Sequence, residues 1–179
     1  NRLMPLFDHV LATQDWHPKN HSSFASNHRG RKPGEVITIH GMSQVLWPDH
    51  CVQDTWGAAF AEEFDTDRIE TVIRKGTDPD IDSYSGFFDN GHRRKTPLDD
   101  ELKRRGITSL HLMGLATDYC VRFTALDART LGYRTWVIID GCRGIDKDPG
   151  DIERAVKDME KAGVTIITSD SLMGPQPSG

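Results

Sequence analysis

Residues 110–140 read LHLMGLATDYCVRFTALDARTLGYRTWVIID. The stretch opens on an apolar run, Leu110–Leu115, and closes on a β-branched one, Arg134–Asp140. Short runs of this kind are those of strands buried inside a sheet. Between them Val121, Thr124, Ala125, Ala128 and Leu131 share one face of a helix over 119–131, and Gly132 suits the left-handed residue that ends it. Strand, helix, strand in that order is the crossover unit of a parallel sheet.

Working outward, His9–Thr13, Glu70–Lys75 and Val164–Thr168 are further strand-like runs. A helix over 151–162 places Ile152, Ala155, Val156 and Met159 on one side and stops at Gly163. Thr96 is the expected N-cap of another helix, with Pro97 at its first position and Asp99, Asp100 and Glu101 at the positive end of its dipole. Residues 55–64 are expected to form one more. Alternating strands and helices imply an α/β fold, a doubly wound and mostly parallel sheet with helices on both faces. One domain is expected over 1–170, with a tail over 171–179 that frays from Met173. A long loop, 76–95, stands apart, and loops of that length are usually functional.

Composition narrows the class. The chain has 179 residues, 27% charged and 36% hydrophobic, which is globular and neither disordered, collagenous nor coiled-coil. No apolar run approaches the ~18 residues of a membrane span. A net charge of −5 gives no reason to expect nucleic acid, and Arg93–Lys95 and Lys103–Arg105 read as solvated faces. Three cysteines, Cys51, Cys120 and Cys142, cannot all pair, so a reducing cytoplasm is expected. No secretory leader is visible, although the sequence opens at Asn1.

In doubly wound folds ligands bind at the carboxyl ends of the strands. Asp15 and His17 follow the first strand two residues apart, so in extended chain they point the same way, and a carboxylate with an imidazole makes part of a metal site. His50 is the expected third ligand, with His21 and His28 as competitors and Cys51 as a further donor. Lys75 closes the second strand. Cys120 lies at a helix start, where unpaired amides and the dipole favour a thiolate and can form an oxyanion hole. Cys142 reads as structural. Taken singly, each residue has a bland role, and for the pair, the loop histidines and the lysine that role is the favoured one: a turn aspartate with a surface histidine, loop histidines, an exposed lysine, a buried cysteine.

Taken together, Ala12-Thr13-Gln14-Asp15-Trp16-His17-Pro18, Trp47-Pro48-Asp49-His50-Cys51-Val52, Lys75-Gly76-Thr77, Ser83-Tyr84-Ser85-Gly86-Phe87 and Gly114-Leu115-Ala116-Thr117-Asp118-Tyr119-Cys120-Val121 resemble the nicotinamidases, a family within the isochorismatase-like cysteine hydrolases. The resemblance runs from residue 1 to about 170. It implies hydrolysis of nicotinamide, and of pyrazinamide, to the acid and ammonia in NAD salvage. It implies Cys120 as nucleophile forming a thioester, Lys75 supporting the thiolate, and the amides of Ala116 and Cys120 binding the oxyanion, with a cis Leu115–Ala116 peptide. Asp15, His17 and His50 would hold one divalent metal, zinc first, with iron or manganese as alternatives. That metal would position the pyridine ring, and His21 stands where some relatives supply an extra ligand. Trp47, Tyr84 and Tyr119 would line the ring pocket. The implied partner is a small molecule, with no nucleic acid and no membrane, and the oligomeric state stays open.

One element of the family pattern has no match. The family's acid–base aspartate sits in a motif close to Asp-x-Gln-x-Asp-Phe near the end of its first strand, and Asp8 is a poor substitute. In the family strand order 3-2-1-4-5-6 that strand is central. The five strands here would be strands two to six, and buried backbone groups left unpaired cost about 1–3 kcal/mol each. The expectation is therefore that the parent protein carries the segment. A strand supplied by another chain, a truncated metal-binding remnant without activity, and an isochorismatase-like amidase for another small amide are the alternatives.

Overall fold

The computed structural model describes residues 1–173; the greater part of the expected frayed tail lies outside the described residues. In chain order the elements are β1 (Leu11–Asp15), β2 (Val36–Ile39), β3 (Met42–Val45), β4 (Thr71–Lys75), α1 (Leu98–Arg104), β5 (Ser109–Leu115), α2 (Arg122–Thr130), β6 (Arg134–Arg143), α3 (Asp151–Lys161), β7 (Thr165–Ile167) and a last turn α4 (Asp170–Met173). The architecture is α/β with parallel sheets, and it divides into two compact units, residues 11–96 and residues 1–10 with 97 onward.

In the unit of residues 11–96, β1 pairs in parallel with β4 in a register that sets Asp15 opposite Lys75. The first strand therefore lies at Leu11–Asp15, two residues later than His9–Thr13, because this pairing continues to Lys75. An antiparallel hairpin, β2–β3, turns at His40 and Gly41, both at positive φ (50° and 80°). That is the turn whose twist suits a two-residue hairpin, and the strand-like runs identified in the sequence did not include it. The expected helix over 55–64 is absent: only a single 3-10 turn, Trp56–Ala58, forms, and Ala59 is extended. Gly57 weakens the helix, and Trp56 is 94% exposed. No continuous apolar face is buried there, and a helix depends on that face.

In the other unit β5, β6 and β7 form a parallel sheet in that order. The helices α2 and α3 are the crossovers, and their apolar faces meet the sheet in one core. Val121, Ala125, Val137, Cys142, Met159 and Val164 are buried there, with Leu112, Ile139, Val156 and Ile166 packed around them. Gly132 and Gly163 end the two helices at φ 93° and 84°, as the spacing predicts. Thr96 is not the cap of α1. Its Oγ1 donates to the Gly86 carbonyl at 2.5 Å, and Pro97 takes the N-cap position. The acidic first turn of α1 is as expected. Buried Tyr133 donates to Asp99 at 2.8 Å, tying the residue before β6 to α1.

The strands are less buried than an all-covered sheet requires. Val72 and Met113 are each 40% exposed and Leu115 73%. Among the described residues no helix is long and apolar enough to cross a membrane.

Candidate active site

The unit of residues 11–96 collects its functional side chains where β1 and β4 end. Because Asp15 and Lys75 are register partners on parallel strands, both emerge at the same carboxyl edge. They form an ion pair, and Lys75, only 4% exposed, also donates to the Ser83 carbonyl at 2.9 Å. Burial pushes the Asp15 carboxyl up, but the Lys75 charge and hydrogen bond, with smaller contributions from His17 and His50, more than offset this and hold it below its ordinary value. Asp15 is thus an anion at neutral pH.

Past the strand, the chain stays pinned on both sides. Trp16 N–H donates to the Lys75 carbonyl at 2.9 Å, and the Arg74 guanidinium lies over the Trp16 ring, 3.7 Å from its centre. His17 makes an isolated parallel bridge with Val52, its N–H reaching the Cys51 carbonyl at 3.0 Å. That bridge carries His50 to His17, their rings 4.9 Å apart. The buried ring of Phe24 backs both, at 5.6 and 5.5 Å. His17 Nδ1 donates to the Gly76 carbonyl at 2.9 Å and His50 Nδ1 to the Pro48 carbonyl at 2.8 Å. Gly76 has φ 63°, and a Cβ there would stand 2.3 Å from the His17 ring, so this close approach requires glycine.

The ligand atoms of Asp15, His17 and His50 all lie within 4.8 Å of one another. The donor set fits a divalent cation. It combines one carboxylate with two imidazoles whose other nitrogens are held by backbone carbonyls, the outer arrangement that fixes ring and tautomer in histidine metal sites. Burial, partly opposed by Asp82 and Asp15, also keeps His17 below the ordinary histidine value and hence neutral. His28 instead bonds the Ser22 carbonyl at 2.7 Å, and neither it nor Cys51 joins a ligand group among the described residues. His21 converges with His17 and Asp82 in a second group, apart from Asp15 and His50.

Trp47 is held beside Ser23 and Ala25 by backbone bonds of 2.8 and 2.9 Å. Its Nε1 donates to the Tyr84 hydroxyl at 3.1 Å, with the rings edge to face. Tyr84 comes from the 76–95 loop, which has almost no regular structure but is held by buried polar groups. Asp89 accepts three backbone N–H groups, those of Gly91, Arg93 and Arg94, at 2.8–2.9 Å. Ser83 Oγ bridges the carbonyls of Ser85 and Phe88. Gln44 and Asp82, both buried, belong to the same network and were not singled out from the sequence, where neither leaves a local signal.

In the unit holding residue 97 onward, β5 ends in a cis Leu115–Ala116 peptide. Ala116 is the N-cap of a π-helical turn, Thr117–Val121, that precedes α2. Its carbonyl receives the N–H groups of Tyr119 and Val121 at 3.2 and 3.0 Å. Cys120 sits in this wide turn, half-buried, two residues before the regular helix begins at Arg122. Such single π turns recur at functional positions. Buried Asp118 steadies the turn by accepting the N–H groups of Ile145 and Asp146 at 2.9 and 2.8 Å. Cys142 is a core residue whose thiol burial pushes up.

The family model of the isochorismatase domain matches residues 12–171. The nicotinamidase of Escherichia coli (strain K12) is 52% identical over 159 residues, 89% of this chain and 74% of that protein. A solved nicotinamidase/pyrazinamidase of Acinetobacter baumanii superposes with a TM-score of 0.93 at 46% identity, covering 96% of this chain and 82% of that one. The pyrazinamidase of Pyrococcus horikoshii, solved in complex with zinc, gives 0.72 at 36% identity, covering 93% and 79%.

Proposed function

The chain belongs to the isochorismatase-domain family of hydrolases, and from that premise we propose that it is an amidase converting nicotinamide, and pyrazinamide, to the acid and ammonia. The observation that carries the reading is the convergence of Asp15, His17 and His50 next to buried Lys75. A cysteine and a lysine suit many amidases of this superfamily; the added carboxylate–imidazole trio suits a substrate whose ring offers a nitrogen lone pair.

Asp15, His17 and His50 would hold the ion, zinc by the likeness to the zinc-bound pyrazinamidase. When bound, a divalent metal with open positions supplies a Lewis acid for the pyridine nitrogen. Trp47 and Tyr84 give the ring two aromatic walls fixed to each other by a hydrogen bond, and Tyr119 is assigned to the same task. Cys120 Sγ attacks the amide carbon, forming a thioester as ammonia departs, and water then releases the acid. The amides of Ala116 and Cys120 are assigned to the oxyanion. By the resemblance to the family, Lys75 is assigned the support of the thiolate and of the anionic transition state. Residues 1–179 hold no match to the family's acid–base aspartate, so no residue named here is given the proton transfers. The reaction is assigned to NAD salvage in the cytoplasm.

The test is ammonia release from nicotinamide by zinc-loaded protein of known intact mass. Release in step with nicotinate formation supports the reading. Zinc binding without release, in protein whose mass includes the family's first strand, overturns it.

A further inference from the structure

Two overlapping sets of ligand atoms surround His17. One is Asp15, His17 and His50; the other is His17, His21 and Asp82, all three buried. His17 Nδ1 is occupied by the Gly76 carbonyl, so its single remaining lone pair, on Nε2, can serve one ion only. Where the imidazole protons sit decides between the two sets. A histidine ligates through a bare nitrogen, and the contact made by its other nitrogen fixes which one is bare.

His17 and His50 both turn Nδ1 toward a backbone carbonyl. A carbonyl only accepts, so Nδ1 carries the proton and Nε2 is bare. His21 is the reverse. The backbone N–H of Ser23 points at its Nδ1 at 3.3 Å, and Ser23 Oγ lies 2.7 Å from the same atom. A backbone N–H only donates, so Nδ1 is the acceptor and the proton resides on Nε2. That Nε2 is buried and makes no side-chain hydrogen bond, with the Ile81 carbonyl as a backbone acceptor beside the ring. The carboxylate close to this ring is Asp82, 3% exposed. Its Oδ1 accepts the Ser83 N–H at 2.8 Å and its Oδ2 the Gln44 side-chain amide at 3.2 Å. The Gln44 amide also reaches the Tyr84 hydroxyl at 3.2 Å, where Trp47 Nε1 donates too.

We infer that His21 is not a metal ligand but a buried hydrogen-bond donor that presents Nε2–H to Asp82, and that Asp82 is the positioning residue of the Trp47–Tyr84 ring pocket. A ligand atom of His21 and one of Asp82 lie within 4.8 Å of each other, a span that a bridge through one water covers. Asp82 then joins three segments: the turn after β1 through His21, β3 through Gln44, and the 76–95 loop through Ser83. The outer set, Asp15, His17 and His50, is left as the seat of the cation. The inference rests on the proposed function only for the role of Trp47 and Tyr84; the proton on His21 is a property of the protein whatever its substrate.

The experiment is a long-range proton–nitrogen correlation spectrum of the ¹⁵N-labelled chain, first metal-free and then with one equivalent of zinc. In the metal-free spectrum His17 and His50 are expected protonated on Nδ1 and His21 on Nε2. Zinc is expected to shift Nε2 of His17 and His50 and to leave the His21 proton on Nε2. A bare His21 Nε2 in the metal-free protein, or one that zinc shifts, overturns the inference, and neither outcome depends on nicotinamide being the substrate. For the positioning role, Asp82→Asn leaves one acceptor oxygen for the donors of Ser83, Gln44 and His21. It is expected to raise KM for nicotinamide about tenfold with a smaller change in kcat. His21→Gln keeps a donor and is expected to hold KM within about threefold. A KM unchanged by Asp82→Asn removes the role.

Discussion

The two units of this chain bury different kinds of side chain. From residue 97 onward the core is mainly aliphatic, with Val121, Ala125, Val137 and Met159 packed together, and fewer polar side chains are buried there: Asp99, Thr117, Asp118, Asp127 and Thr135. Over residues 11–96 much of the interior is polar: His17, His21, Ser23, Gln44, Lys75, Asp82, Ser83, Ser85 and Asp89 are all buried. An aliphatic core needs only the right volume and period, and it tolerates change if both are kept. A polar interior needs each donor matched to an acceptor, and one lost partner leaves the other orphaned. The first kind packs α2 and α3 against their sheet, while the turn that carries Cys120 is steadied by the buried Asp118 carboxylate. The second kind places charged and imidazole groups at set distances, which is what holding a cation and a flat ring demands.

That contrast can be broken on either side. The largest effect is expected at the nucleophile: Cys120→Ala should lower nicotinamide turnover by about 10⁶-fold with zinc stoichiometry and thermal unfolding unchanged. Gly76→Ala comes next. It adds a Cβ against the His17 ring at a positive φ and should weaken zinc binding by at least about 10- to 100-fold, the usual effect of disturbing a ligand's support. Calorimetric titration reads it directly. On the aliphatic side, Met159→Ala should cost about 2–5 kcal/mol of stability in a urea melt and leave zinc stoichiometry at its wild-type value. If Met159→Ala altered zinc binding as strongly as Gly76→Ala does, the division between the two interiors would be wrong. The smallest effect is expected at Arg31→Ala, which removes an exposed pair with Glu35 and should change stability by less than about 1 kcal/mol.

The same contrast explains what could be read from the sequence. Behind residue 97, helix and strand periods are set by the aliphatic core. So α2, α3, β5 and β6 fall within a few residues of their expected places, with Gly132 and Gly163 as their stops. Over residues 11–96 the reading is less complete. Asp15 and His17 are legible as a pair because strand period two puts them on one side. His50 reaches them only through the His17–Val52 bridge, a contact that no local pattern encodes. The β2–β3 hairpin was signalled by Val36-Ile37-Thr38-Ile39 ahead of His40-Gly41, but a search for parallel crossover units passes over it. Thr96 looked like a cap because its local sequence is a good cap; a carbonyl ten residues back claims its hydroxyl instead. Gly76, Gln44 and Asp82 act through close approach and long-range pairing, and neither leaves a periodic trace.

The most direct test of the central claim is ammonia release from nicotinamide, followed in zinc-loaded protein, in the same sample after chelation, and in Cys120→Ala. The account predicts release in the loaded protein, loss on chelation with return when zinc is restored, and no release from Cys120→Ala although it still binds zinc. Release that survives either chelation or the loss of Cys120 would contradict it.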